Sequence, residues 1–293
     1  MNRKGLIEYT GGKPKKYRAI DPEVALDILK ERINERIDRL KIELSKIRVS
    51  ERAEEPSVWV LYDADSIIAK MREYIDKAKY EVLLAIPISV FKKVSDHIKR
   101  CVDRCISPIV ILYRDISLDS EILSNLRGVE IYERPVIGTV LCVIDYLYNI
   151  ISAFNVFSNA GSYIKNADYG LFITDCELAN ILSFYYYYSL LRGAHIVCLP
   201  DINDYDNRYF ISIWRATNVI RRILSSNRRV KVWVRGKWVK EKRTAEVEDY
   251  VKDVIADSDK HIYSIILESG LSIGGYRATL ENIEGRLIRV KVL

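Results

Sequence analysis

EVLLAIPISVFKKVSDHIKRCVDRCISPIVILY, residues 81–113, holds two uninterrupted apolar runs around an amphipathic stretch. EVLLAIP and PIVILY are short, rich in aliphatic residues and bounded by proline, as strands buried on both faces are. Between them Val94, Ile98 and Val102 recur at helical spacing, which predicts strand, helix, strand. Working outward, SVWVLY (57–62) reads as a strand and DADSIIAKMREYIDKAKY (63–80) as a helix opened by an Asp or Ser cap. VEIYERP (129–135), TVLCVID (139–145) and IISAFNV (150–156) continue the sheet, and 175–191 and 209–225 are predicted helices. Strands alternating with helices predict an α/β domain over 56–225 with a largely parallel sheet.

The flanks differ in character. RRVKVWVRGKWV, AEVEDYVKDVIA, HIYSIILES, RATLENIE and RLIRVKVL are strand-like runs separated by turn residues, which predicts a small all-β domain over 226–293. Residues 21–55 form a coiled-coil helix by pattern: Leu26, Ile33, Leu40 and Ile47 recur every seven residues, with Lys30, Ile37 and Leu44 in the complementary row. A homodimer through residues 24–47 follows from this narrow stripe, against the alternative of one amphipathic helix packed on its own domain. Residues 1–20 hold two alternating runs around Gly11-Gly12-Lys13-Pro14, a hairpin signal with a basic tip. Lys13, Lys15 and Lys16 at that tip are suited to a phosphate backbone, or to plain solvation.

The chain of 293 residues is 49% hydrophobic and 29% charged, an ordinary globular composition with room for about two domains. Its net charge of +6 allows an anionic partner without requiring one. Five cysteines without a CxxC point to thiols in a reducing cytoplasm, with a metal pair at Cys101 and Cys105 as the alternative. No apolar stretch approaches the roughly 18 residues of a membrane span, so a cytoplasmic protein with no membrane partner is expected, and neither a cofactor nor a metal site is predicted.

Three sets of residues carry candidate chemistry. His97-Ile98-Lys99 with Asp103 resembles the HxK(x)4D motif of the phospholipase D superfamily, in which His attacks phosphorus. The spacing is one short, Arg104 stands where Asp belongs, and no second copy exists, so a solvated helix face is the competing reading. Gly274-Gly275-Tyr276-Arg277 lacks the dinucleotide-loop pattern; adjacent glycines in a β segment mark a tight turn or a close approach of backbone to ligand. Glu281, six residues past Gly275, adds a carboxylate of the kind that grips sugar hydroxyls. The run Phe184 to Tyr188, with Trp214, Trp233 and Trp238, offers stacking platforms or core and interface residues.

The order basic hairpin GGKPKKYRAIDPEVAL, long helix, α/β domain and terminal LSIGGYRATLENIEGRLIRVKVL resembles the TrmB family of sugar-responsive transcriptional regulators, which are mainly archaeal. The resemblance implies a non-catalytic phospholipase D-like domain, a dimerising helix, a small β domain and sugar bound between the last two. It implies sugar contacts at Gly275 and Glu281 and, by nearest counterparts, at Ser183 and the Asp259-Lys260 region. Residues 1–20 resemble only the wing of a winged helix, so DNA is an expected partner only if recognition helices are supplied. The reading from another class is a phospholipase D-type phosphodiesterase or nuclease.

Overall fold

The computed structural model describes residues 7–9, 11–45, 55–117, 126–157 and 169–293. It falls into two units, 1–53 and 54–293. In the first, β1 (Ile7–Tyr9) and β2 (Tyr17–Ala19) pair antiparallel, and Lys13, Lys15 and Lys16 lie exposed on or beside their connection. α1 (Pro22–Ser45) begins with proline at its first position, and Asp21 accepts the Glu23 N–H at 2.9 Å. Its predicted seam is open within the chain: Leu26, Ile33, Ile37 and Leu40 are 65, 58, 44 and 54% exposed. Ile47 and the side chain of Leu44 lie outside the described residues.

The second unit opens with β3 (Ser57–Leu61), α2 (Ala64–Lys77), β4 (Glu81–Pro87), α3 (Ile88–Asp103), β5 (Ser107–Tyr113), β6 (Glu130–Arg134), β7 (Val140–Ile144), β8 (Tyr148–Ser152), β9 (Gly170–Thr174), α4 (Cys176–Tyr185) and β10 (His195–Cys198). These strands form one sheet in the order β10-β6-β5-β4-β7-β8-β9-β3. Every residue of β4 and β5 is buried, because α2 and α3 cover one face and α4 with the aromatic run covers the other. The largely parallel sheet expected from the sequence is corrected here. Only β4, β5 and β6 run parallel, and every other pairing is antiparallel. The reason is connection length: a parallel step needs a crossover of a dozen or more residues, whereas a tight turn joins β7 to β8.

The C-terminal lobe comprises β11 (Arg208–Phe210), α5 (Ile213–Ser225), β12 (Val230–Trp238), β13 (Thr244–Asp257), β14 (Ile262–Leu267), β15 (Ser272–Gly274) and β16 (Ile283–Val292). β16, β12, β13, β14 and β15 close into a five-stranded barrel, because β15 returns parallel to β16, while β11 extends the sheet beside β16. Ala216, Val219, Ile220 and Ile223 of α5 share one apolar core with Val232, Ile265 and Ile288 of the barrel. The predicted boundary at Ser226 and the all-β description therefore need correction, since the lobe includes β11 and α5. RATLENIE is likewise no strand up to Asn282; β16 starts at Ile283.

One buried charge cluster joins the lobes. Arg215 of α5 is 2% exposed and reaches Glu130 at 2.7 Å and Glu81 at 3.2 Å, and it donates to the carbonyls of Ser107 at 2.5 Å and Pro108 at 3.3 Å. Burial alone would lower its pKa, but the two carboxylates outweigh that and raise it. Glu81 also accepts the backbone N–H of Ile211 and Ser212, at 3.0 and 3.1 Å, and the Ser212 hydroxyl at 2.6 Å, so it tethers the start of α5. Arg215→Ala should cost about 3–5 kcal/mol in urea unfolding, the range for leaving buried charges without a partner. Arg215→Met with Glu81→Gln and Glu130→Gln should recover part of that loss.

Candidate functional site

The turn between β7 and β8 sets one wall of the site. Asp145 and Tyr146 both have positive φ, 50° and 55°, and Leu147 donates to Ile144 at 3.1 Å, as in a hairpin turn of primed type. Neither residue is glycine or asparagine, so the conformation needs support. The Asp145 carboxylate supplies it by accepting the N–H groups of Lys79, Tyr80 and Glu81 at 2.7, 2.9 and 2.9 Å. Burial raises the Asp145 pKa, and these donors pull against the rise. The turn aims Tyr146 at α4, where its hydroxyl meets the buried Ser183. Trp214 of α5 donates its indole N–H to the same Ser183 oxygen at 3.3 Å.

Tyr146, Ser183 and Trp214 border a cavity of about 550 Å³ between the two lobes. The C-terminal lobe contributes Tyr263 and the segment 275–281, and α4 contributes Asn180. The aromatic groups support one another: Tyr187 stacks on Trp214 at 4.4 Å, and Tyr263 donates to the Tyr187 hydroxyl at 3.0 Å. Tyr186 to Leu190 make one π-helical turn, which lets Tyr186 enter the core while Tyr187 points toward Trp214. Sequence reasoning predicted an unbroken helix to Leu191; the turn is what allows the aromatic run to serve two directions.

The sequence-predicted site residues separate in the structure. Glu281, Gly275 and Ser183 border the cavity. Glu281 accepts from Ser264 at 2.6 Å through one carboxylate oxygen, and the other has no hydrogen-bond partner among the described residues. Gly274 explains why the carboxylate can lie there: a Cβ at that position would fall 2.6 Å from it. A Cβ on Gly275 would meet Ile213 Cγ2 at 2.4 Å, so this glycine is required by contact with the first residue of α5. Asp259 is exposed, pairs with Arg192 at 2.7 Å and lies outside the cavity lining, which corrects its expected place in the site. Asp145, Tyr146, Asn180 and Arg286 were not singled out by the sequence; only the departure of Asp145-Tyr146 from usual turn residues carried a signal.

The charges of the lining are largely matched. Arg277 pairs with Glu177 at 3.0 Å, and Arg286 pairs with Glu284 at 2.7 Å while lying 4.3 Å from the Tyr276 ring centroid. The side-chain amide of Asn180 has no hydrogen-bond partner among the described residues, so it and the spare Glu281 oxygen remain to bind a ligand. This set of aromatic faces, one carboxylate and one amide suits a polyhydroxylated molecule. The phospholipase D-type residues are elsewhere: His97 sits on α3, 2.9 Å from Asp76 and 2.7 Å from Arg100. Among the described residues no His, Cys, Asp and Glu group is arranged to hold a metal.

Two substitutions test the framework without a ligand. Ser183→Ala should cost about 1–3 kcal/mol, because it removes the acceptor of the buried Trp214 N–H and the partner of Tyr146. Gly275→Ala should cost about 1–3 kcal/mol by overpacking against Ile213. Urea unfolding with no change for Gly275→Ala would show that the close approach to α5 does not exist.

Comparison with known proteins agrees with this architecture. The family description "Transcriptional regulator TrmB, EBD N-terminal subdomain", where EBD denotes the effector-binding domain, matches residues 57–197. "TrmB/TrmBL1, EBD C-terminal subdomain" matches 206–293, so its start agrees with a lobe that includes β11 and α5. Among curated proteins, the HTH-type sugar sensing transcriptional regulator TrmBL1 of Pyrococcus furiosus is 28% identical over 88 residues, 30% of this chain and 26% of that protein. The match thus spans about a quarter of the relative's length. Among solved structures, the archaeal chromatin protein TrmBL2 aligns with a TM-score of 0.43 at 19% identity, over 67% of this chain and 78% of that one. The phospholipase D family member Nuc from Salmonella typhimurium gives 0.38 at 14%, over 50% of this chain and 100% of that one. With both subdomain descriptions matched in order across most of its length, the chain belongs to the TrmB family of transcriptional regulators and carries that family's effector-binding domain.

Proposed function

We propose that this protein is a sugar-responsive transcriptional regulator whose ligand is a mono- or disaccharide bound in the cavity between the lobes. The observation that carries the reading is the joint lining: Tyr146, Asn180 and Ser183 from one lobe and Trp214, Tyr263 and Glu281 from the other border one space of about 550 Å³. That volume lies within the range of small-molecule sites, roughly 300–1,000 Å³. A sugar ring presents an apolar face to Trp214 or Tyr146 and hydroxyls to Glu281 and Asn180. Gly274 admits the carboxylate, and Gly275 admits α5 while its backbone borders the cavity.

The reading is non-enzymatic, and it is favoured over a phosphodiesterase because His97 is committed to Asp76 and Arg100 away from the cavity. The α1 stripe pairs two chains through residues 24–47, and Lys13, Lys15 and Lys16 contact DNA backbone. A DNA-acting protein of this kind works in the cytoplasm; no helix among the described residues is long and apolar enough to cross a membrane.

A thermal-shift screen of mono- and disaccharides should find a stabilising sugar, since a ligand at about 100 times its dissociation constant adds about 2.7 kcal/mol. Glu281→Gln should then weaken calorimetric binding by about 1.5–3 kcal/mol, the range for hydrogen bonds to a charged group. Saccharides without effect, or Glu281→Gln indistinguishable from the parent, would remove the assignment. Ile33→Asp with Ile37→Asp should convert a dimer to monomers in sedimentation, because two charges in the seam would lack partners.

A further inference from the structure

The outer face of the barrel carries a second pattern that the cavity does not use. Along β12 the inward residues Val230, Val232 and Val234 are buried, and the outward ones are Lys231, Trp233, Arg235 and Lys237, with no acid among them. The neighbouring β16 adds Arg289 and Lys291 on the same face, opposite Trp233 and Lys231. Lys231 and Lys291 are therefore directly paired across the strands, an arrangement that costs stability in the absence of an anion. Glu248 lies within 3.4 Å of Lys231 and 3.7 Å of Arg289, whereas Arg235, Lys237 and Lys291 form no ion pair among the described residues. Glu284, opposite Lys237, is already taken by Arg286 and by the Arg277 N–H.

The aromatic rings on this face hold cations. Trp233 is fixed by its indole N–H to Glu246 at 3.0 Å, and the guanidinium carbons of Arg235 and Arg289 lie 5.4 and 5.7 Å from its centroid. Tyr250 likewise has Arg229 at 4.4 Å and Lys231 at 5.8 Å. Rings occupied in this way offer little surface for stacking unpaired bases, on which single-strand binding depends. None of the strongly exposed apolar side chains of the described residues falls within 231–237 or 287–291, so the face lacks the wedge that a lipid surface would receive. What remains is three cations without an ion pair among the described residues: Arg235 and Lys237 at the two-residue spacing of a strand, about 6.6–6.8 Å along the chain, and Lys291 on the neighbouring strand, with the β13 carboxylates of Glu246 and Glu248 opposite Arg235 and Trp233.

We propose that this outer face of the C-terminal barrel, centred on Trp233, Arg235, Lys237 and Lys291, is a sequence-independent docking surface for the phosphate backbone of duplex DNA. It acts in addition to the basic hairpin and does not depend on occupation of the cavity. The test uses the full chain and a labelled duplex of random sequence, with binding followed by fluorescence anisotropy across a salt series. The variant Arg235→Gln, Lys237→Gln, Lys291→Gln changes exposed side chains only, and an unchanged melting temperature confirms its fold. Its affinity at low salt should fall about tenfold or more, and the slope of log K against log salt should become shallower by about 0.9 for each lost phosphate contact. Lys13→Gln, Lys15→Gln, Lys16→Gln should reduce the slope separately, and combining the two sets should add. A barrel variant with the parent's affinity and slope overturns the proposal, as does tighter binding of the parent to single strands or to anionic phospholipid vesicles than to duplex.

Discussion

The Arg215 cluster is the constraint on which the second unit rests. A guanidinium with two carboxylates is costly to remove from water, and an ion pair of this kind contributes little net stability compared with apolar residues of equal volume. Its effect is geometric. Arg215 satisfies carbonyls at the start of β5 and carboxylates at the starts of β4 and β6, while Glu81 binds the backbone amides of Ile211 and Ser212 just before α5. A displaced register of α5 would lose some of these partners, so the cluster fixes the helix at the N-terminal ends of the interior strands β4, β5 and β6. Ile213 and Trp214 are its next residues, and both border the cavity.

From that fixed helix the site follows by contact. Trp214 needs an acceptor, which Ser183 provides, and Ser183 also meets Tyr146, which stands on a turn held by Asp145. On the opposite side, Ile213 comes so near residue 275 that only glycine fits, and the neighbouring Gly274 leaves room for Glu281. The two glycines and the carboxylate are thus one packing solution around the first turn of α5. A pocket arises with its polar side chains already positioned, which reduces the ordering that a ligand must impose.

Much of this was legible in local sequence and some was not. Apolar runs placed β4, β5 and β7, and the Asp63 cap, whose carboxylate accepts the Ser66 N–H at 2.6 Å, marked the start of α2. Gly274, Gly275 and Glu281 stand out together by residue type, and the packing of Gly275 against Ile213 is a constraint that residue type does not reveal. Strand order was out of reach, because periodicity reports burial and not direction; an all-buried strand reads alike in parallel and antiparallel neighbourhoods. β11, with three residues, is too short for a pattern. Arg215 looks like an ordinary surface arginine on an amphipathic helix, and its burial is decided by carboxylates 134 and 85 residues away in sequence. Asp259 was expected at the site only as a nearest counterpart within the family resemblance, and its carboxylate instead serves Arg192.

The same cluster limits how a bound ligand can be sensed. Opening the cleft by drawing α5 off the sheet would expose Arg215 and leave Glu81 and Glu130 without their partner, a penalty of about 3–5 kcal/mol if the charges stay buried and unpaired. Coupling between sites in regulators is typically about 1–3 kcal/mol, and a ligand shifts an equilibrium only by its difference in affinity for the two states. Hinge opening at α5 is therefore the more expensive response. The segment 275–281 and the π-helical turn at 186–190 are held by fewer buried charges, and each has one side on the cavity or on the aromatic groups that line it. Rearrangement there, with α5 fixed, leaves the Arg215 cluster intact and is the less expensive response to occupation of the cavity.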